Sequence, residues 1–182
     1  MPADQSSTDV VDPLFIGTAA RPRCFNGATA SELSFNYMSS KKGWMTGGIF
    51  NPYLLQMNQR MLSEDRKVLL LVDNVPPHRP DDESALTNIK VKMLPNNTTA
   101  LLQPQDAGII ASFKAKVKQR QLTNALQQIE SVMAGRQDGH YEELLLEAIS
   151  WAKDARRSVS QETVVNCWNR TGILDTELSN FG

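Results

Sequence analysis

Residue types that would commit this sequence to a narrow class are scarce. It has only two cysteines in 182 residues, Cys24 and Cys167, far apart and without metal-type spacing. Neither a disulfide framework nor a thiolate zinc site is in prospect, and unpaired thiols suit a reducing intracellular compartment. The two histidines, His78 and His140, are too few and too scattered for an imidazole zinc site. Formal net charge is −1 with a pI near 6.1, which argues against a strong nonspecific nucleic-acid binder acting alone, because phosphate binding needs clustered Lys and Arg. No apolar run approaches the length of a membrane span. No basic segment followed by an apolar core opens the chain, so no secretory signal is expected. Internal repeats and low-complexity runs are also missing.

What is present is an ordinary globular composition. Hydrophobic residues make up 41% and charged residues 21%, so disorder is not expected beyond residues 1–12, which lack apolar content. The length favours one domain over residues 13–182, large enough for a real core.

The most informative stretch runs from Lys67 to Lys118. Val68-Leu69-Leu70-Leu71-Val72 is a five-residue apolar run without alternation, which predicts a strand covered on both faces. Asp73 ends it, and Pro76 and Pro77 forbid continuation of the ladder. A carboxylate there lies at a sheet rim, where open α/β sheets place their sites; a turn-forming Asp is the alternative. Ile89 to Leu94 alternates apolar and polar up to Pro95, predicting a half-buried strand, and Asn96-Asn97-Thr98-Thr99 reads as a polar turn. Pro104 then precedes Asp106, and Ile109, Ile110, Phe113, Val117 and Leu122 recur at helical spacing. Asp106 therefore opens a helix expected to run to about Ala134, with Gly135 as its stop. Its charge is stabilised there by the macrodipole, a role that competes with metal ligation.

The rest reads as support. Pro13 to Gly17 is a short strand, Asn26-Gly27 a turn, and Leu33, Phe35 and Tyr37 alternate as a second strand would. Thr46 is placed to cap a helix whose stripe is Phe50, Leu54, Met57 and Met61, with Tyr53 and Leu62 alongside and Pro52 tolerable only in the first turn. Asp81, Asp82 and Glu83 are an acidic cluster at the start of a short helix, better read as dipole partners than as a metal site. Lys114, Lys116, Lys118 and Arg120, like Arg21 and Arg23, read as solvated surface ahead of a DNA track. Gly139-His140 opens a further helix packing through Tyr141, Leu144, Leu145, Ala148, Ile149 and Trp151. Ser158 or Ser160 starts a last one that ends at Gly172 and faces inward through Val164, Val165 and Trp168.

Taken together, LLLVDNVPPH, VKMLPNNTTALLQPQDAGIIASFK, RPRCFNG, GWMTGGIF and CWNRTGIL resemble the DDE superfamily endonuclease domain, the catalytic core of pogo-, Tigger- and Jerky-type transposases and of the domesticated centromere protein B. The resemblance covers about 13–174, and LPNNTTALLQPQD is its most specific phrase. It implies an RNase H-like α/β fold, a mixed sheet flanked by helices with a helical C-terminal half, and two-metal phosphoryl transfer on DNA. Asp73 matches the family's second acid and Asp106 its third, with 32 residues between them. Both are implied as catalytic ligands of Mg²⁺ or Mn²⁺, hard cations that take oxygen ligands. Asn74 and His78 are implied as neighbours of the site. Implied partners are DNA and a second copy of the chain, as a homodimer, in the nucleus; no small-molecule substrate is implied.

The family's first acid lies on a strand earlier than any found here. Asp4, Asp9 and Asp12 are the only upstream acids, and none sits on an apolar run. The expectation is therefore an N-terminally incomplete domain, transposase-derived and inactive as this chain. The alternative is a domesticated module that tethers DNA or binds protein without catalysis.

Overall fold

The computed structural model describes residues 11–96, 98–134 and 141–173. Residues 1–10, expected to be flexible, and Gly135, Gly139 and His140, expected to punctuate helices, lie outside them.

Strands β1 (Leu14–Gly17) and β2 (Asn36–Ser39) form one parallel pair, and β3 (Val68–Val72) and β4 (Ile89–Met93) form another. Their registers place Phe15 opposite Tyr37 and Val72 opposite Met93. The described strands thus make two separate parallel pairs instead of one mixed sheet. Helix α1 (Gly47–Ser63) connects the pairs. After β4 come α2 (Thr99–Leu102), a single π-type turn (Gln105–Ile109), α3 (Ile110–Met133), α4 (Tyr141–Arg157) and α5 (Gln161–Thr171).

Core packing is divided. Phe50, Leu54 and Met61 of α1 bury against Val72 and Ile89, with Val68 and Leu70 alongside. A second cluster joins Cys24, Phe25 and Phe35 to Ile149 of α4, its aromatic rings meeting edge to face at centroid distances of 5.3 Å. A third gathers Ile109, Val159 and Cys167. Cys24 and Cys167 are both buried and form no disulfide with each other.

Several expectations change in detail. Strand β3 is not covered on both faces. Its Val68, Leu70 and Val72 pack with α1, but Leu69, on the opposite face, is 39% exposed. Strand β2 starts at Asn36 rather than near Leu33, since residues 29–35 close a turn with Leu33 N–H donating to Thr29 O and Phe35 N–H to Ala30 O. Glycine stands at the end of β1 for a steric reason. A Cβ there would lie 2.2 Å from Oη of Tyr37, which donates to Ala19 O at 2.7 Å.

Pro52 sits beyond the first turn of α1, and the helix continues through it. The ring's fixed φ is itself helical, and the cost is the missing N–H, which leaves Gly48 O without its i→i−4 donor at this position. Thr46 caps α1 through its carbonyl, which accepts from Ile49 and Phe50, and not through its hydroxyl. The polar turn expected at 96–99 ends in the short α2. Among the described side chains of α4, Leu146, Ile149, Ala152 and Ala155 face inward and Leu145 is 43% exposed, while those of Tyr141 and Leu144, expected on the same face, lie outside them. Helix α5 keeps its expected ends. Ser160 Oγ accepts from Thr163 N–H at 3.2 Å, and Gly172 adopts the left-handed conformation that terminates it.

Candidate functional site around Asp73 and Asp106

Both strands of the β3–β4 pair run the same way, so both end on one edge. The ladder extends one residue past β4, where Leu94 N–H donates to Val72 O at 2.8 Å. The next residue after Val72 is Asp73. Its carbonyl accepts from Val75 N–H, turning the chain away at the two prolines, and the turn Pro76–His78 folds back. This places His78 Nδ1 against Asp73 Oδ1 in direct hydrogen-bond contact, both side chains partly buried. With its proton on Nδ1 the imidazole donates to one carboxylate oxygen. The imidazole also lies 5.0 Å from the ring of Phe50, so the core of α1 fixes where His78 stands. Asn74 is exposed.

Asparagine side chains hold this turn to α1. Asn51 Oδ1 accepts from Asp81 N–H at 2.9 Å, and its Nδ2 donates to Gly47 O at 3.1 Å. Asn51, Leu54, Asn58 and Met61 share one face of the helix, and Asn58 Oδ1 accepts from Asn88 and Ile89 N–H at 2.8 and 3.1 Å. The reading of the sequence passed over both asparagines. The available signal was their position in phase with the apolar stripe, where a polar residue needs backbone partners.

Asp106 is delivered by the segment that follows β4. Its N–H donates to Gln103 O at 3.0 Å, and Ile110 N–H reaches back to Gln105 O, closing the π-type turn. Single π turns inside helices recur at functional sites. Pro104 and Ile109 are buried on either side, and Asp106 itself is exposed. Gly108 allows α5 to come close, since a Cβ there would lie 3.0 Å from Cys167 Sγ. Arg170 of α5 also donates to Ala107 O at 3.4 Å. The turn carrying Asp106 is thus anchored on its inner side and open on its outer side.

The donor set is of the right kind for a hard divalent cation but short in number. The structure brings Asp73 and His78 together. Among the described residues it does not bring Asp106 into a group of three or more His, Cys, Asp or Glu of metal-binding size. Gln103 Oε1, on the turn before Asp106, is buried with no hydrogen-bond partner among the described residues. Of the upstream acids, Asp12 is exposed and lies 3.6 Å from Arg157 on α4, while Asp4 and Asp9 fall outside the described residues. Asp82 is accounted for locally. It accepts from Ser84 Oγ and N–H at 2.6 and 2.8 Å, which lowers its carboxyl pKa, and it caps the short turn Glu83–Ala85. The bases of α3 are exposed at Lys114, Lys118 and Arg120, and Arg21 and Arg23 are exposed as well. No helix of the described residues is long and apolar enough to cross a membrane.

Comparison with known proteins agrees with the motifs. The profile of the DDE superfamily endonuclease matches residues 1–168. Tigger transposable element-derived protein 4 of Mus musculus is 26% identical over 167 residues, 92% of this chain and 31% of that protein. ARS-binding protein 1 of Schizosaccharomyces pombe is 30% identical over 178 residues, 93% of this chain and 33% of that protein. Major centromere autoantigen B of Homo sapiens is 25% identical over 171 residues, 94% of this chain and 26% of that protein. The chain therefore spans about a quarter to a third of these relatives. No solved structure matches it. A profile match over nearly the whole chain, on the same stretch that carries Asp73 and Asp106, means that the chain belongs to the DDE superfamily endonuclease family, with transposable element-derived proteins among its relatives.

Proposed function

We propose that this chain is a DNA-binding domain of RNase H-like descent, acting in the nucleus, in which Asp73 and Asp106 are the metal-ligating acids and the bound ion is Mg²⁺ or Mn²⁺. The observation that carries this reading is the placement of Asp73. It leaves the rim of a parallel strand pair with its carboxylate oriented by His78, and the neighbouring strand leads into the turn that presents Asp106. Carboxylates suit the ion because Mg²⁺ takes oxygen ligands and keeps several waters.

When bound, paired divalent ions supply charge stabilisation for attacking and leaving oxygens in phosphodiester chemistry. The acids described here are one short of the three that such a site takes in this family. We therefore assign metal capture to these residues, with DNA phosphate met through the bound ion, and derive no cleavage step from them. The shortfall favours a second reading, a domesticated module that tethers DNA or binds protein without cutting.

Calorimetric titration of Mn²⁺ into the native chain, Asp73→Asn and Asp106→Asn tests the site. Weak binding by the native chain, abolished by either substitution, is expected, together with no cleavage of duplex DNA in the presence of Mn²⁺. Binding that survives both substitutions removes these acids from the site. Cleavage by the native chain overturns the non-catalytic reading and retains the metal assignment.

A further inference from the structure

The C-terminal half of α3 is amphipathic in the reverse sense. Leu122, Leu126, Ile129 and Met133 are 57, 61, 55 and 83% exposed. Steps of four, three and four residues put them in one stripe. The partly buried positions on the other side of the same half are polar: Asn124, Gln128 and Ser131. Asn124 Nδ2 donates to Glu147 Oε2 of α4 at 3.2 Å, a polar contact on the side turned toward α4. A surface helix ordinarily turns its apolar stripe inward. A contiguous apolar stripe turned outward marks a surface that is covered in use.

We propose that it is covered by the same stripe of a second copy, with the two α3 helices antiparallel. The spacing reads identically from either end. A two-fold axis between Leu126 and Ile129 sets Leu126 against Ile129 of the partner subunit, and Leu122 against Met133 of the partner subunit, so every apolar side chain meets an apolar one. This is the self-complementarity a closed isologous contact needs.

The charges fit the same orientation. From Gln121 to Ala134 the only charged residue is Glu130, and in the antiparallel pair it faces the neutral stretch Thr123–Ala125. Lys114, Lys116, Lys118 and Arg120 lie just before the stripe. A parallel pair would run these two basic rows side by side, whereas the antiparallel pair sends them to opposite ends. The stripe is about 16 Å long. Four side chains per copy supply less than the roughly 800 Å² per partner of a standard interface, so the contact is weak and concentration-dependent. It uses none of the residues assigned to metal and needs neither DNA nor a cation, so it stands or falls separately from the proposed function.

Sedimentation of the full chain over a wide concentration range is the test. The weight-average mass should climb from the single-chain 20.3 kDa toward twice that value. Leu126→Glu and Ile129→Lys, each at an exposed position, should each hold the chain at the single-chain mass with unchanged circular dichroism. Mixing these two variants should restore association, because residue 126 of one copy then meets residue 129 of the other with opposite charge. A single-chain mass at every concentration overturns the proposal and leaves the stripe to a different partner. Association that neither variant weakens, or that the mixture does not restore, also overturns it.

Discussion

Replacing Asn58 with leucine lowers stability by about 2–4 kcal/mol, the cost of leaving two buried backbone donors unpaired less the gain from a larger apolar side chain. Asn58 is 5% exposed, on the α1 face that also carries Leu54 and Met61. Its Oδ1 takes the N–H groups of Asn88 and Ile89, the residues at which β4 begins. Asn88 passes the connection on. Its Nδ2 donates to Arg66 O at 2.9 Å, and its carbonyl accepts from Val68 N–H at 2.9 Å, the first residue of β3. One amide thus ties the helix to the starts of both strands. Leucine matches the shape of asparagine and offers no acceptor. Urea denaturation measures the difference. A loss below about 1 kcal/mol, the size of one ordinary net hydrogen bond, would mean that β4 is held at its start by packing alone.

Leu54→Ala is expected to cost about 2–5 kcal/mol, the range for truncating a buried leucine where the surroundings relax only partly. Leu54 is 1% exposed, the largest side chain enclosed to that degree among the described residues, and its cluster includes Phe50 and Met61 of the same helix and Val72 and Ile89 of the strands. The control lies on the same helix: Leu62, 59% exposed, should change by less than about 0.5 kcal/mol when truncated to alanine. Comparable losses at Leu54 and Leu62, measured by the same denaturation, would refute the assignment of this cluster as the centre of α1 packing. The losses at Leu54 and Asn58 should not simply add, because the two residues sit one turn apart against the same strands.

These two residues also show what the sequence discloses and what it hides. Strands β3 and β4 were legible because an apolar run and an alternating run, each stopped by proline, admit few other structures. The ends of α5 were legible because a serine and a glycine sit where caps require them. Leu54 belonged to a visible stripe. Asn58 did not stand out, because polar residues in a helix ordinarily face water, and only its backbone partners, some 30 residues away, reveal it as interior. Phe35 misled in the opposite way. It alternates with Leu33 and Tyr37 as a strand residue would, yet is buried from within a turn whose hydrogen bonds are local. Leu145 keeps helical phase and is nonetheless exposed, since which arc of α4 is covered depends on the turn Arg23–Phe25, more than a hundred residues earlier.

In the candidate site, the position of Asp73 at a strand end followed from local chemistry. Its contact with His78 followed only in part, since five residues separate them and the prolines between fix the path. The π-type turn at Asp106 left no trace in periodicity, because Ile109 and Ile110 satisfy an ordinary helical phase equally well.

The division of the core carries a consequence for how the molecule breathes. The hydrophobic cluster around Leu54, among the described residues, is drawn from one continuous stretch, Met45 to Met93. The cluster around Phe35 instead depends on Leu146 and Ile149, over a hundred residues away, and closing so long a loop is entropically dearer than closing a short one. Opening events should therefore release β1, β2 and α4 together while α1, β3 and β4 stay shut, giving at least two exchange regimes under native conditions. Amide hydrogen–deuterium exchange would register this as slow, matched protection in α1, β3 and β4 and faster, matched protection in β1, β2 and α4. Equal protection across all six would mean that the clusters open as one cooperative unit.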